Sequence, residues 1–145
     1  MVDIGISMVN VGDYFRSFYI DSEKDNIIAY DIPNSLPEFK RLTRAEVINI
    51  GDISIKGMPF KIVYSHASDE DMHITVVNID GKTVFRGSVI VMGFDTVNGR
   101  DVLRDLTDEE VLLILNNIGL MVITPKDGKE PYNSYVLCNV VYSKD

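Results

Sequence analysis

The sequence predicts an α+β domain built on a mainly antiparallel β-sheet, with one well-capped helix in the C-terminal half and one short helix. Short runs of alternating or apolar residues recur along all 145 residues, and polar turn residues separate them. Helix-start signals, by contrast, stand at only two places, near residues 35 and 107. The length fits a single domain, 1–145.

The first half of the chain combines strand patterns with one helix signal. Ser35 and Glu38 form a capping-box pattern, with Pro37 in the first turn, and predict the short helix. Period-two alternation or aromatic enrichment predicts the strands around it, with a turn at Gly51–Asp52 between two of them. These strands are 14–20, 26–32, 46–50, 53–56 and 60–64. The preceding residues 1–12 alternate loosely and predict a first strand or an arm that pairs with another subunit.

The best-defined element of the second half is a helix. Thr107 and Glu110 form a second capping box, and acidic residues fill the first turn, where they suit the helix dipole. Leu106 and Val111 are spaced to form a hydrophobic staple around the cap. Gly119 stands where a chain commonly leaves a helix in the left-handed conformation.

Strand patterns surround this helix. They are 73–79, 83–86, 88–94, 120–123 and 135–142. Asp80–Gly81 predicts a tight hairpin turn, and the uninterrupted apolar run 89–92 predicts a strand buried on both faces. The polar segment 65–72 predicts an exposed loop, and so does 95–105, which contains Asn98–Gly99.

Charge and composition exclude several partners. Twenty-two acidic residues face 14 basic ones, which gives a net charge of −8, and the densest basic cluster is only Lys40, Arg41 and Arg44. We therefore expect no nucleic-acid partner, because backbone binding relies on clustered cations. No apolar run approaches the roughly 18 residues of a membrane span, so we expect no membrane partner. The absence of a signal-peptide pattern and the single cysteine, Cys138, favour a reducing cytoplasm.

No residue pattern predicts catalysis, a cofactor or a metal. His66 and His73 flank acidic residues, but a spacing of seven is not a known ligand pattern. Cys138 stands in an apolar strand, where cysteine is usually an inert hydrophobe. The glycines at 81, 87, 93 and 99 fall in separate turns and strand ends and do not form a phosphate-binding loop.

The aromatic strand near the N-terminus is a candidate contact surface. Strand alternation places Tyr14, Arg16 and Phe18 on one face, with Phe15 and Tyr19 on the other. Both faces carry large aromatic side chains. We therefore expect one face to be core and the other to bind a partner or a second copy.

We expect a homodimer or a higher homo-oligomer. The Tyr135–Tyr142 strand and the 1–12 arm are apolar or alternating, and an unpaired edge strand of this kind promotes aggregation. A second copy is the simplest cover, through sheet extension or face packing, with the aromatic strand contributing to the contact. The alternative is that the two terminal strands pair with each other within one monomer.

Several segments follow a shared pattern in chain order. They are 19–21, 27–30, 34–39, 46–50 and 74–79. The most specific part is Phe85–Asp95, a G-x-x-x-x-x-G strand, which leads into Leu-Thr-Asp-Glu-Glu at 106–110. The chain thereby resembles an uncharacterised family of small proteins encoded by phages, prophages and conjugative elements. The resemblance covers about 14–118, and it leaves an N-terminal arm, 1–13, and a strand region, 119–145, as additions.

The resemblance implies a mobile-element origin and a non-enzymatic character, and it transfers no functional residue. We expect a cytoplasmic accessory protein that binds and neutralises a host component, such as a protein of host defence. One alternative is a sponge that sequesters a small nucleotide-like signalling molecule at a subunit interface. The ligand- or partner-binding residues would be Tyr14, Arg16, Phe18 and Arg86. A further alternative is a small hydrolase-type enzyme.

Overall fold

The computed structural model describes residues 13–24, 26–67, 72–78 and 84–143. The predictions for the 1–12 arm and for the Asp80–Gly81 turn lie outside these ranges, as does most of the 65–72 loop. Within them the chain forms ten strands and two helices in a mixed, mostly antiparallel sheet, which confirms the predicted α+β class. Neither helix has the length or the apolar run that crossing a membrane requires.

The elements follow one another with short connections. In chain order they are β1 (Tyr14–Asp21), β2 (Asn26–Pro33), α1 (Leu36–Thr43), β3 (Ile48–Ile55), β4 (Met58–Ser65), β5 (Ile74–Asn78), β6 (Val84–Arg86), β7 (Val89–Val97), β8 (Arg100–Arg104), α2 (Asp108–Asn116), β9 (Ile118–Ile123) and β10 (Tyr132–Ser143).

The sheet is strongly curled. Its strand order is β2-β1-β7-β4-β3-β10-β5-β6, with β8 added to β7 and β9 added to β10. Among the described strand pairs, β10 and β5 run parallel and the others run antiparallel. Strand β6 ends this order, yet only Gly87 and Ser88 connect it to β7, the third strand from the other end. The sheet must therefore bend back on itself, and the Tyr64 ring of β4 stacks on the Phe85 ring of β6 with centroids 4.4 Å apart.

Hydrophobic clusters fill both faces of this sheet. The inner cluster joins side chains from β1 and from β3 to β7 with β10, and Ile114 of α2 packs into it. The outer cluster joins β1, β4 and β7 to Phe39 and Leu42 of α1. Strand β7 contributes to both, since its residues 89–92 are at most 1% exposed. This confirms the prediction that the apolar run is buried on both faces.

The helix caps lie where the sequence places them. Ser35 Oγ accepts a hydrogen bond from Glu38 N at the start of α1. At the start of α2, Thr107 Oγ1 accepts from Glu110 N (3.1 Å) and Glu110 Oε1 accepts from Thr107 N (2.8 Å). Each cap supplies partners to backbone N–H groups that the first turn leaves unpaired.

The predicted exit from α2 at Gly119 is wrong. The helix ends at Asn116, and Gly119 lies within β9. Asn117 terminates the helix instead, because its buried side-chain amide donates to Leu113 O (2.8 Å) and accepts from Asn139 Nδ2 (2.9 Å). A side chain thus satisfies the helix end, and no left-handed glycine is needed there.

One turn prediction and one loop prediction are also wrong. Gly51 and Asp52 lie inside β3, where a Cβ on residue 51 would come within 2.8 Å of the Tyr142 ring. The β3–β4 turn is Lys56–Gly57, both with positive φ. The predicted 95–105 loop is the β7–β8 hairpin, turning at Asn98–Gly99 with φ of 53° and 78°. Two consecutive left-handed residues match the twist of a two-residue hairpin, which is why Asn-Gly is favoured there.

The predicted exposed strand near the C-terminus is not an edge. Strand β10 pairs with β9 over residues 132–137, with β5 at Leu137 and Val140, and with β3 over its last four residues. Among the described strands with one partner only, β9, which pairs with β10 alone, bears the most exposed apolar side chains, whereas β2 bears Ile28.

Candidate functional site

The four predicted site residues do not come together. Tyr14 is 64% exposed at the start of β1, whereas Phe18 is buried in the inner cluster. Arg16 donates from Nε to Leu106 O (2.8 Å), where Nη2 also donates, and from Nη1 to Asp108 Oδ1 (2.9 Å). Arg16 therefore fastens β1 to the start of α2. Of the four, Arg86 lines the larger of the two cavities described below, and the other three line neither of them.

The predicted free aromatic face of β1 does not exist. Phe18 is 1% exposed on one face and Tyr19 is 7% exposed on the other. Tyr19 packs in the outer cluster, and its hydroxyl donates to Leu42 O at 2.6 Å. The strand has core on both faces because α1 covers one side and the curl of the sheet encloses the other.

Two cavities meet at His73. The larger, of about 500 Å³, lies between the start of β5, the end of β6 and the β9–β10 connection. The smaller, of about 450 Å³, lies between β1, the end of α1 and the entry to β7. His73 lines both. We call the two cavities together the His73 groove.

Topology explains why distant segments form the larger cavity. Strand β10 runs parallel to β5, so the first residues of both strands lie side by side. The Tyr132 ring stacks on His73 with centroids 4.0 Å apart and planes 10° from parallel. The Tyr132 hydroxyl accepts from Ile74 N (3.3 Å), and Ser134 Oγ donates to Ile74 O (3.0 Å). These contacts fix a flat aromatic wall in the groove.

Charged side chains surround this wall. Arg86, Lys126 and Lys129 line the larger cavity together with Asp127 and Glu130. The lining therefore carries three cations against two carboxylates, in a chain whose net charge is −8. Arg86 Nη1 donates to Met72 O at 3.2 Å, which orients its guanidinium.

The smaller cavity is bordered by a polar cluster that serves the fold. Arg44 Nη1 donates to Asp21 Oδ1 (3.0 Å) and Ser88 Oγ (2.9 Å), and Arg44 Nε lies 3.2 Å from Glu23 Oε2. Burial lowers the pKa of Arg44, but its hydrogen bond to Asp21 and the nearby charges outweigh this effect and raise it. The guanidinium is thus permanently charged and compensated. Ser88 Oγ accepts from Arg44 and donates to Asp21 Oδ1 (3.5 Å), so the three side chains form one hydrogen-bonded network.

Other groups with displaced pKa values also hold elements together. Lys61 is 4% exposed, and its Nζ lies 2.5 Å from both Asp52 Oδ1 and Asp101 Oδ2 and 4.5 Å from the Phe94 ring centroid. Burial lowers the pKa of Lys61, but the hydrogen bonds to the two carboxylates raise it overall. This cluster links β3, β4 and β8, and none of its members lines the His73 groove.

The residues considered for metal binding and thiol chemistry lie apart. His66 Nδ1 is 3.2 Å from Asn49 Oδ1, whereas His73 stacks on Tyr132. Among the described residues, no three His, Cys, Asp or Glu side chains are arranged to hold a metal ion. Burial raises the pKa of the Cys138 thiol, which makes it a poorer nucleophile.

Sequence reasoning missed most of the groove. Lys126, Lys129 and Tyr132 stand between the predicted strands 120–123 and 135–142, where the sequence predicts no site residue. Two lysines between two strands were a weak signal of a cationic site. The parallel pairing of β10 with β5, which brings them to His73 and Arg86, has no local signature.

Comparisons with protein-family models, with curated proteins and with solved structures found no match to this chain. The resemblance to the mobile-element family therefore stays a prediction.

Proposed function

We propose that this chain is a non-enzymatic accessory protein of a phage or another mobile element. It acts in the cytoplasm of the host, as a homodimer or a higher homo-oligomer, and neutralises a host component by binding it. The origin rests on the sequence resemblance alone. The binding role rests on the His73 groove, and the host component that this groove fits best is a small, nucleotide-like anion.

The aromatic wall favours a ligand with a planar ring. His73 and Tyr132 are stacked on each other, and both rings line the larger cavity. A planar ring of a ligand gains dispersion and quadrupole interactions when it packs on these rings, either offset-stacked or edge-to-face. The volume of about 500 Å³ lies in the range of sites for small organic ligands.

The charges of the lining favour an anion of modest charge. Arg86, Lys126 and Lys129 can bind a phosphate or carboxylate, and the guanidinium of Arg86 suits it through paired N–H donors. Asp127 and Glu130 disfavour a long polyanion, but they can accept hydrogen bonds from sugar hydroxyls or ring N–H groups. A phosphorylated nucleoside combines the ring, the anion and the donors.

The proposed site differs from the one predicted from sequence. Arg86 belongs to both, but Arg16 and Phe18 are engaged in the fold and Tyr14 does not line the groove. The sequence-based alternative placed the ligand at a subunit interface, whereas the residues of one chain form the larger cavity. Ile123, the last residue of β9, contributes to its wall.

The test is a calorimetric titration with three probes: adenosine 5′-monophosphate, adenosine and inorganic phosphate. We expect the nucleotide to bind more tightly than either part. Arg86→Ala should weaken nucleotide binding by about 10- to 100-fold, since a charged hydrogen bond contributes about 1.5–3 kcal/mol. Lys126→Ala, at an exposed position, should weaken it without affecting the fold. Arg100→Ala is the matched control, because it removes an exposed cation outside the groove.

Two outcomes would overturn the proposal. Equal affinity for phosphate and nucleotide would show that the aromatic wall contributes nothing. If chromatography shows that the protein converts the nucleotide to a product during incubation, this result would support the enzyme alternative instead.

A host protein is the second candidate component. The observation in its favour is the exposed apolar surface of β9, where Leu120 is 60% and Val122 is 69% exposed. A second copy of this chain competes for the same surface.

A further inference from the structure

Strand β9 is an edge strand without the usual protection. Within the part of the chain that the structure describes, it pairs with β10 only, so the hydrogen-bonding groups along its other side face outward. Leu120, Met121 and Val122 are 60%, 40% and 69% exposed. Natural edge strands normally carry charges, prolines or bulges that prevent pairing with another chain. Residues 118–123 contain no charged residue and no proline.

Charge singles out the same surface. No charged residue stands between Glu110 and Lys126, whereas the chain as a whole carries a net charge of −8. Two copies repel each other over most of their surfaces, and this uncharged segment is where they can approach with the least repulsion. It also includes Leu112 and Leu115 of α2, which are 57% and 41% exposed.

Three apolar side chains of β9 share one face. The register with β10 pairs Ile118 with Leu137, Leu120 with Tyr135 and Val122 with Asn133. Residues two apart in a strand point to the same side of the sheet, so Ile118, Leu120 and Val122 form a short apolar row beside the open edge.

We propose that β9 pairs antiparallel with β9 of a second copy about a two-fold axis at Leu120. This inference specifies the homodimer of the proposed function and does not depend on its ligand. In this register Leu120 faces Leu120, and Ile118 of each copy faces Val122 of the other. The row thus gains three apolar cross-strand pairs, one between the exposed Leu120 side chains and two between exposed Val122 and half-buried Ile118. A register centred on Met121 gives this row only two, both between Leu120 and Val122.

A second copy fits this edge better than an unrelated strand. Self-pairing matches an uncharged apolar strand with an identical one along its whole length, and a two-fold contact closes without leaving a new edge. The pairing also reaches the His73 groove, because Ile123 lines its larger cavity. The dimer would therefore stiffen one wall of the ligand site.

Disulfide trapping tests the register. In a Cys138→Ser background, Leu120→Cys should form a covalent dimer of two 16.3 kDa chains on mild oxidation, because directly opposed residues meet the distance needs of a disulfide. Val122→Cys is a control of similar exposure that should not link to itself, since it faces Ile118. Mixed Ile118→Cys and Val122→Cys chains should link to each other.

Light scattering after size exclusion tests the dimer without cysteines. The unsubstituted chain should have the mass of a dimer, and Leu120→Lys should convert it to a monomer. Val97→Lys, at an apolar position 53% exposed on the β7–β8 hairpin, should leave the dimer intact.

Four results would overturn the inference. They are a monomer mass at high micromolar concentration, a dimer that persists in Leu120→Lys, self-linking of Val122→Cys equal to that of Leu120→Cys, and preferential linking through Met121→Cys. A monomer whose binding to a host protein is lost in Leu120→Lys would assign β9 to that protein. The nucleotide titration is independent of all these readouts.

Discussion

Two ion pairs show how differently the chain uses charge in its core and at its groove. Arg104 contacts Glu110 through N–O distances of 2.7 and 3.0 Å, and the Glu110 side chain is 4% exposed. Lys129 lies 3.6 Å from Asp127, and both side chains are more than half exposed. The first pair fastens β8 to α2, whereas the second faces solvent beside the cavity. The buried pair joins two elements of the fold, whereas the exposed pair borders the cavity to which we assign binding.

The pKa values of the buried pair show that its two members stabilise each other's charge. Burial would raise the pKa of Glu110, but the hydrogen bonds from Arg104 and from Thr107 N outweigh it and lower this pKa below its ordinary 4.5. The pKa of Arg104 is raised, mainly by its hydrogen bonds to Glu110. Each partner thus holds the other in its charged form.

The largest effect should come from breaking the buried pair. Arg104→Ala leaves the Glu110 carboxylate buried without its cation, and we expect a loss of about 3 kcal/mol in the free energy of unfolding. Urea titration measures it. Lys129→Ala is the matched control at the exposed pair and should change stability by less than about 0.5 kcal/mol. Equal effects of the two variants would remove the distinction between core and groove.

The same variant should change how stability depends on pH. A carboxyl with a lowered pKa stabilises the folded state above its ordinary pKa of 4.5, and this contribution is lost as the pH falls through the folded value. Arg104→Ala should therefore flatten the acid limb of the stability curve. An unchanged acid limb would mean that Glu110 does not depend on Arg104.

A smaller effect should follow from removing the cap beside that pair. Thr107→Ala deprives Glu110 N of its acceptor, and we expect a loss of about 1 kcal/mol. Thr124→Ala, at an exposed position lining the groove, is the control and should have little effect. A urea midpoint unchanged in Thr107→Ala would contradict a helix that begins at this residue.

The smallest effect concerns Tyr64 and Tyr142, which pack against the inner cluster. Burial, with a hydrogen bond of 2.9 Å to Tyr142, raises the pKa of Tyr64 to about 12. We expect Tyr142→Phe to lower this pKa toward 10 without reaching it, since burial persists, and to cost less than about 1 kcal/mol at neutral pH. Ultraviolet titration of tyrosinate measures the shift, with Tyr14→Phe, 64% exposed, as the control.

The sign of that pH dependence is opposite to the sign for Glu110. A tyrosine whose folded pKa is raised stabilises the folded state below pH 10, and the contribution is lost as the pH rises toward 12. Tyr142→Phe should reduce the alkaline loss. An unchanged Tyr64 titration would show that burial alone sets its pKa.

The sequence could predict those features that depend on residues close together in the chain. The caps at Ser35 and Thr107 each use residues three apart, and the buried strand at 89–92 is a continuous apolar run. The Asn98–Gly99 turn was equally local, but the charged residues around it concealed a hairpin that is exposed at its tip. The Gly51 turn prediction failed because the need for glycine there is not local. The Tyr142 ring, 91 positions later in the chain, leaves no space for a Cβ at residue 51.

The His73 groove could not be predicted from neighbouring residues either, because its lining comes from distant segments. Arg86 was selected, but its neighbours Lys126 and Tyr132 reach it only through the parallel pairing of β10 with β5. Phe18 and Arg16 were assigned to binding because their alternation is visible, whereas their burial and bonding depend on α2. The proposed site was harder to predict than the fold because distant segments of the chain converge there.

The position of β10 also governs how the chain matures during synthesis. Residues 132–143 lie between β3 and β5, and they are the hydrogen-bonded link between the two parts of the sheet in the described chain. Until the ribosome has released this segment, β3 and β5 expose open edges and the hydrophobic interior is unsealed. We expect such a nascent chain to bind chaperones through this exposed surface. A premature stop before residue 132 would leave the surface exposed permanently.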